Sequence, residues 1–292
     1  MNKKHLSSDK LFLAINIVLV AFICFIIIYP IYYMFIVSIS DGNAVLRGEV
    51  NLLPKGINLK AYKAVLTYQY VPVSYRNTLV YTTIGVLISV FMTALCAYPL
   101  SRKHFFGKNV FMGFIIFTMI FDAGMISNYM VINEYNLMNT IWSIVLPGAI
   151  NVWYIIIMRT FFADIPEEIF ESAYIDGAND LTILGKIVLP LSKAVISTML
   201  LFYAVGLWNN WISPLLYLND RDKFPMQLIL RNIVIGSDAA LTKSMSASSD
   251  MAIMGLNIKY AVIFITILPI LAVYPFVQRY FVKGVMVGSV KG

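Results

Sequence analysis

Six stretches of this chain are too apolar to live in water: residues 11–37, 78–100, 110–130, 141–158, 194–218 and 260–277. A helix that crosses a hydrocarbon core of about 30 Å needs about 20 such residues, and all six runs meet or approach that length. Hydrophobic residues make up 60% of the chain and charged ones 13%, against about 25% charge in a typical soluble domain. A water-soluble core would leave much of this apolar surface uncovered. The expected fold is therefore an all-α membrane protein with six transmembrane helices. Pro147 and Pro269 lie inside the fourth and sixth runs, where neighbouring helices can re-satisfy the freed carbonyls. The first run is far longer than the roughly 7–15 apolar residues of a secretory signal, and no small-residue cleavage site follows, so it reads as a retained span.

The formal charge of +7 does not indicate nucleic acid, because Lys and Arg sit in the gaps between apolar runs and form no single patch. Short basic loops mark the cytoplasmic side. The compact loop S-R-K-H-F-F-G-K at 101–108 places both termini in the cytoplasm. On that topology three segments lie outside. The first, about 39–76, carries a surface helix near 59–67, with Asn77 as N-cap of the second span. The others are 133–139 and a long surface loop at 219–258. Cys24 and Cys96 fall inside apolar runs and read as inert buried thiols. Neither His5 nor His104 has partners at metal-ligand spacing, so no metal site and no catalytic residue are expected.

One cytoplasmic segment, 160–193, interrupts this pattern. A-D-I-P-E-E-I-F-E-S-A-Y opens with a helix-start signal: Asp164 before Pro166, and Glu167 three residues after the Asp. Ile169, Phe170, Ala173 and Tyr174 share one face, while Glu167, Glu168 and Glu171 lie elsewhere on the turn. Gly177 suits a left-handed stop, Asn179 can cap a second short helix, and Pro190 would end it. The result is a helix–glycine–helix elbow with an apolar face and an acidic rim. Such a face either docks in a groove with basic residues at its edge or lies on the protein's own spans. The residues alone leave both open.

Glu171-x-Ala173-x-x-x-Gly177, then nine residues, then Ile187-x-Leu189-Pro190 resembles the coupling loop of the membrane subunits of binding-protein-dependent ABC importers. Asp176-Gly177-Ala178 matches that family's D-G-A; Ser172 and Leu184 depart from its usual Ala and aromatic. L-W-N-N-W-I-S-P-L-L-Y-L at 207–218, P-M-Q-L-I-L-R-N at 225–232 and the tail at 274–292 resemble its sugar-importing branch, in particular the second permease of maltose-type systems that take up oligosaccharides and polysaccharide fragments. The resemblance implies a type I importer transmembrane domain. It divides the chain into an N-terminal segment with the first span and outer loop (1–72), a core (73–277) containing the loop 160–193, and a cytoplasmic tail (278–292). It also implies a second homologous permease, two cytoplasmic ATPase subunits that bind ATP and Mg, and an extracytoplasmic solute-binding protein. Glu167, Glu171, Ala173, Asp176, Gly177, Ala178, Ile187, Leu189 and Pro190 would form the ATPase-coupling set.

No G-x-x-x-x-G-K-[ST] phosphate loop occurs in the chain, so nucleotide chemistry is expected on another polypeptide, and this one is not an enzyme. The competing class, an ion-driven secondary transporter, calls for ionisable relays at mid-membrane. Only Asp122 lies within a span, near its outer end. An importer permease for a non-sugar solute is the other alternative. Candidate pathway residues for a hydroxyl-rich solute are Asp122, Asn151, Tyr154, Trp208, Asn209, Asn210 and Trp211, with the two Trp rings expected on one helix face. Each competes with a plainer role as interfacial aromatic or interhelical hydrogen bonder.

Overall fold

The computed structural model describes residues 3–244 and 257–272, and every regular element among them is helical. In chain order these are α1 (Lys3–Ser38), α2 (Gly42–Leu46), α3 (Lys60–Thr67), α4 (Tyr70–Ser101), α5 (Lys108–Ile120), α6 (Gly124–Glu134) and α7 (Trp142–Val145). Then follow α8 (Val152–Ala163), α9 (Glu167–Ile175), α10 (Asp180–Leu191), α11 (Lys193–Trp208), α12 (Ile212–Tyr217), α13 (Met226–Ser244) and α14 (Asn257–Ala272). They fall into two compact units, one of residues up to 68 with 232–268, the other built on 69–231.

In the first unit, Ile36 and Val37 at the end of α1 are buried with Val50, and Tyr33, Val45 and Tyr260 pack around them. Asp41 caps α2 by accepting from the Asn43 and Ala44 amides, and Asn257 donates to the Ser40 carbonyl at 2.6 Å. The apolar length of α1 from Leu11 to Ile28 stays exposed, as a helix solvated by lipid tails does.

The second unit is organised around α4. Gly85, Ser89, Thr93, Ala97 and Ser101 recur every fourth residue, and all are buried. A repeated stripe of small residues lets helix backbones approach closely in a membrane. Helices α8 and α11 lie on α4, burying Ile155, Met158, Phe162, Val195 and Met199 with Ala94 and Ala97. Two hydroxyls on the stripe have partners: Thr93 bonds the Tyr203 hydroxyl at 2.7 Å, and Ser101 donates to the Tyr98 carbonyl.

Several expected boundaries are corrected. Among the described residues, only α1, from Lys10, and α4 are single helices long and apolar enough to cross a membrane. The third run is bent by 110° between α5 and α6, where Asp122 accepts from the Gly124 amide and starts a new helix. The fourth breaks around Pro147-Gly148 into α7 and α8, and the fifth breaks at Asn209-Asn210 into α11 and α12. Proline lacks an amide, and Asn competes for nearby backbone groups; both interrupt a helix whose apolar content would otherwise carry it on. The sixth run forms α14 as far as Ala272, and 273–277 lies outside the described residues.

Asn77 is not an N-cap. Helix α4 begins seven residues earlier, and Asn77 is a buried side chain that donates to the Asp222 and Phe224 carbonyls at 2.7 and 3.2 Å. Nor is 219–258 wholly loop: α13 runs for 19 residues, with Met226, Leu228 and Ile229 buried on one side. Tyr81 donates to the Lys223 carbonyl, so residues 222–226 sit against the N-terminal third of α4. Asn139, at φ 58°, clasps the preceding turn: it accepts from the Asn219 and Asp220 amides and donates to the Asp220 carboxylate. Its hydrogen bond and that from Lys223 hold the Asp220 carboxyl below the usual carboxylate range.

The small-residue stripe generates a test. A Cβ added at Gly85 would lie 2.6 Å from Leu207 Cδ1 and 3.5 Å from Val145 Cγ2. Gly85→Ile is expected to destabilise the α4–α11 contact by about 1–3 kcal/mol through overpacking. Gly85→Ala is expected to lose less, because the Leu207 side chain can turn aside. Thermal unfolding of the purified protein in detergent reads both; equal melting temperatures for wild type and Gly85→Ile would refute the close approach.

Candidate functional site

The elbow forms at the C-terminal end of α4. Helix α9 starts directly after Pro166, and Glu167 and Glu168 in its first turn face the positive end of the helix dipole. Asp164 takes no part in that start; it is the C-cap of α8, so the expected capping role is corrected. The other end of α9 closes with two hydrogen bonds, Gly177 N–H to the Tyr174 carbonyl and Ala178 N–H to the Ala173 carbonyl, each 3.0 Å. Together they make a Schellman turn, which requires a left-handed residue at its centre; Gly177 has φ 78°. Asn179 then caps α10, its Oδ1 accepting from the Thr182 amide at 2.9 Å.

Helix α10 does not stop at Pro190. It continues to Leu191 through a π-type turn at Leu184–Val188, and the chain bends by 86° into α11. The wider turn helps the helix accommodate Pro190, which has no amide to give, and the bend follows at Ser192. Ile187 and Leu189 are half-buried in this stretch, whereas Pro190 is exposed.

The apolar face of the elbow lies on the protein's own spans. Phe170, Ala173, Ile183, Leu184 and Val188 are all buried in one cluster with α4, α8 and α11. What remains on the outside is different: Ile175 is 85% exposed and Leu181 72%, flanked by exposed Glu168, Glu171 and Asp176. Spacing groups Leu181 with Leu184 and Ile187 along the second arm, but Leu181 turns outward while Leu184 is buried, and Ile175 stands off the buried face of α9. Tyr174, expected on the apolar face, is exposed and points its hydroxyl at Asp180 at 2.7 Å. That hydrogen bond, with partial burial, pushes its phenol up from its ordinary pKa.

A second residue that sequence reasoning passed over is Arg102. Its guanidinium meets Glu167 at 2.7 Å with both side chains mostly out of water, and it lies 3.6 Å over the Phe170 ring. Removing one partner of a pair this withdrawn from water leaves the other charge uncompensated, and a cation–π contact adds about 0.5–1 kcal/mol or more once desolvated. A cleft of ≈ 590 Å3 opens beside this contact, lined by Pro99, His104, Glu171, Tyr174 and Leu181 among others.

The pathway candidates separate into groups. Asn151 caps α8, accepting from the Tyr154 amide, and its own amide donates to the Tyr203 hydroxyl at 3.2 Å. Tyr154 stacks on Phe202 and meets Tyr203 edge-on, so these residues form a polar–aromatic cluster between α8 and α11. Asn209 belongs to another: it accepts from Gln227 at 3.1 Å, while Arg231 lies over the Trp211 ring. Asn210 accepts from the Ser213 amide at the start of α12. Trp208 is buried with its indole N–H unpartnered among the described residues, and Trp211 is 38% exposed. The two rings therefore do not share a face, because α11 ends between them. Asp122 stays within its own bend.

A span-rich chain with an ordered polar elbow defines a class, and the sequence comparison agrees. The chain belongs to the family described as binding-protein-dependent transport system inner membrane component, whose model matches residues 85–287. It is a membrane transport subunit. It is 39% identical over 285 residues to Protein LplC of Bacillus subtilis strain 168, covering 98% of this chain and 96% of that one. It is also 39% identical over 272 residues to the polygalacturonan/rhamnogalacturonan transport system permease protein YtcP of the same organism, covering 93% and 94%. A crystal structure of a bacterial ABC transporter involved in the import of the acidic polysaccharide alginate superposes with TM-score 0.83 at 36% identity, over 94% of this chain and 98% of that one.

The glycine at the elbow makes its order testable. Nothing lies within 4 Å of a Cβ built at Gly177, so crowding plays no part and only the left-handed φ resists a side chain. Gly177→Ala is expected to destabilise the turn by about 1–2 kcal/mol, and Gly177→Val by more because of its β-branch. Limited proteolysis at the elbow should rise in that order while membrane insertion is unchanged. Equal protease resistance in all three proteins would contradict the Schellman geometry.

Proposed function

We propose that this chain is one permease subunit of an ATP-driven, binding-protein-dependent importer whose solute is a carbohydrate, specifically an oligosaccharide of the kind released from polysaccharides. The observation that carries the reading is the elbow: an ordered, acidic and apolar surface at one end of α4, in a chain otherwise solvated by lipid, within a family named for binding-protein-dependent transport. The polysaccharide-related names among its relatives support the carbohydrate.

In this reading the subunit pairs with a second, related permease to line the solute path. Two cytoplasmic ATPase subunits bind ATP and Mg, and an extracytoplasmic solute-binding protein delivers the solute to the outer loops. The chain supplies no nucleotide-binding loop and performs no covalent chemistry. Both termini and the elbow face the cytoplasm. Residues 222–226 lie about 30 Å from the elbow, since residues 78 and 98 on α4 are some 20 residues apart at about 1.5 Å each. That separation equals the hydrocarbon thickness, which supports opposite sides for the two.

The mechanism is mechanical. Closure of the ATPase pair on ATP pushes the elbows, and the spans packed on them open the path outward; hydrolysis resets it inward. Glu171, Asp176, Ile175 and Leu181 present the contact surface. Gly177 and Ala178 hold its shape through the turn, and Ala173, Ile187 and Leu189 pass the displacement inward. Residues 285–292, proposed to reach the ATPase interface, lie outside the described residues.

Charge reversal tests the contact. Glu171 is exposed and sits outside the Arg102 ion pair, so Glu171→Lys leaves the fold alone. It is expected to weaken ATPase association by about tenfold at low salt, with the difference shrinking as salt screens the contact. Co-purification of the ATPase across a salt series reads this directly. Unchanged association at low salt would remove Glu171 from the contact.

A further inference from the structure

The C-terminal end of α4 gathers bonds from everything around it. Arg102 reaches Glu167 at 2.7 Å and covers the Phe170 ring at 3.6 Å, so it holds α9, the first arm of the elbow. One turn earlier, the Tyr98 hydroxyl donates to Asp180 Oδ1 at 3.0 Å and so holds α10, the second arm. Tyr174 of α9 donates to that same oxygen at 2.7 Å, tying the two arms to each other. Two carbonyls at this end are also taken: Leu100 accepts from Arg159 Nε at 3.0 Å, and the C-cap Arg102 from Lys108 Nζ at 3.3 Å. The four terminal carbonyls of a helix need partners, and cations there also suit the dipole.

The chain enters the elbow from α8 and leaves it through α10 into α11, so α4 is not covalently next to it. Of the two covalent routes out of the elbow, the one into α11 passes the π-type turn and the 86° bend at Ser192, and the one back into α8 passes the non-helical link at 164–166. The route through Tyr98 and Arg102 has no such joint. It leads straight into the longest helix of its unit, the one on which α8 and α11 both pack.

We propose that Arg102 and Tyr98 are positioning residues that clamp both arms of the elbow onto α4, so that ATPase-driven displacement reaches the membrane through α4. This rests on the importer reading above and adds to it a load path and the residues that make it. Both residues line the cleft that Glu171 and Leu181 also border, but Tyr98 is buried and Arg102 is mostly out of water, so loss of the clamp leaves the exposed contact residues in place and should separate ATP hydrolysis from solute movement without releasing the ATPase.

The test uses the whole importer reconstituted in proteoliposomes. ATPase retention, ATP hydrolysed and solute delivered are measured together for wild type, Arg102→Met, Arg102→Lys and Tyr98→Phe. Arg102→Met should keep the ATPase bound and hydrolysing while solute moved per ATP falls about tenfold, the size of change seen for residues within a coupling network. Arg102→Lys keeps the charge beside Glu167 and should recover at least half of that ratio. Tyr98→Phe removes one hydroxyl, folds as wild type, and should lower the ratio about threefold. Transport that falls only in step with ATPase release, or an unchanged ratio in both Arg102→Met and Tyr98→Phe, overturns the clamp. Spin labels at Phe91→Cys on α4 and Ile175→Cys on the elbow give a second readout: the distance distribution should broaden in Arg102→Met and not in Arg102→Lys. Should wild type show no ATP-dependent uptake, the importer reading fails and the label distances alone decide the clamp; an equally narrow distribution in Arg102→Met then refutes it.

Discussion

Hydrocarbon offers a backbone no hydrogen bonds, and that constraint decides where this chain can be irregular. The breaks at Asp122, Pro147-Gly148 and Asn209-Asn210 each carry a local replacement for the lost helical bond: a carboxylate on the Gly124 amide, Asn151 as a cap, Asn210 on the Ser213 amide. Such sites need an uninterrupted support beside them. Helix α4 provides it, and its four-residue stripe from Gly85 to Ser101 lets α8 and α11 come close enough to share a core. An elbow seated on the end of that helix inherits its rigidity.

The two ends of α4 have different chemistry. At the N-terminal end, neutral groups of α4 hold the 219–226 segment, namely the Asn77 amide and the Tyr81 and Thr78 hydroxyls, while the Asn139 clasp and the Lys223–Asp220 ion pair brace it from outside the helix. At the C-terminal end, charged groups dominate, with Arg102, Arg159 and Lys108 each bound to a carbonyl or carboxylate. The Arg102–Glu167 ion pair and the contact of Arg102 with the Phe170 ring thus fasten the first arm of the elbow to the end of α4.

Much of this was legible in the sequence, for identifiable reasons. Apolar run length located α1 and α4, because lipid imposes a length that composition cannot disguise. Gly177 and Asn179 were legible because a left-handed turn and an N-cap each admit few residue types. The breaks in the other runs were not, since Asp122, Pro147 and Asn209 are each tolerated inside spans and their effect depends on what packs beside them. Asn77 misled because an amide that caps a helix and one that binds a distant carbonyl look alike in sequence. Helix α13 was hidden by the Ser-rich residues that follow it. Of the elbow's expected apolar face, Phe170 and Ala173 are buried and Tyr174 is not; what covers the face, and the outward set of Ile175 and Leu181, required tertiary contacts. Arg102 could have been noticed as a cation at the end of a span, but its partners lie about 65 residues onward.

The central claim is that the elbow and the 219–226 lip stand on opposite faces of the membrane, with the elbow toward the nucleotide. Labelling by a membrane-impermeant maleimide in intact cells tests this most directly, with single cysteines at Ile175 and Asp222 in a background lacking Cys24 and Cys96. The account predicts that Asp222→Cys is labelled from outside and Ile175→Cys only after permeabilisation. Labelling of Ile175→Cys in intact cells would contradict it.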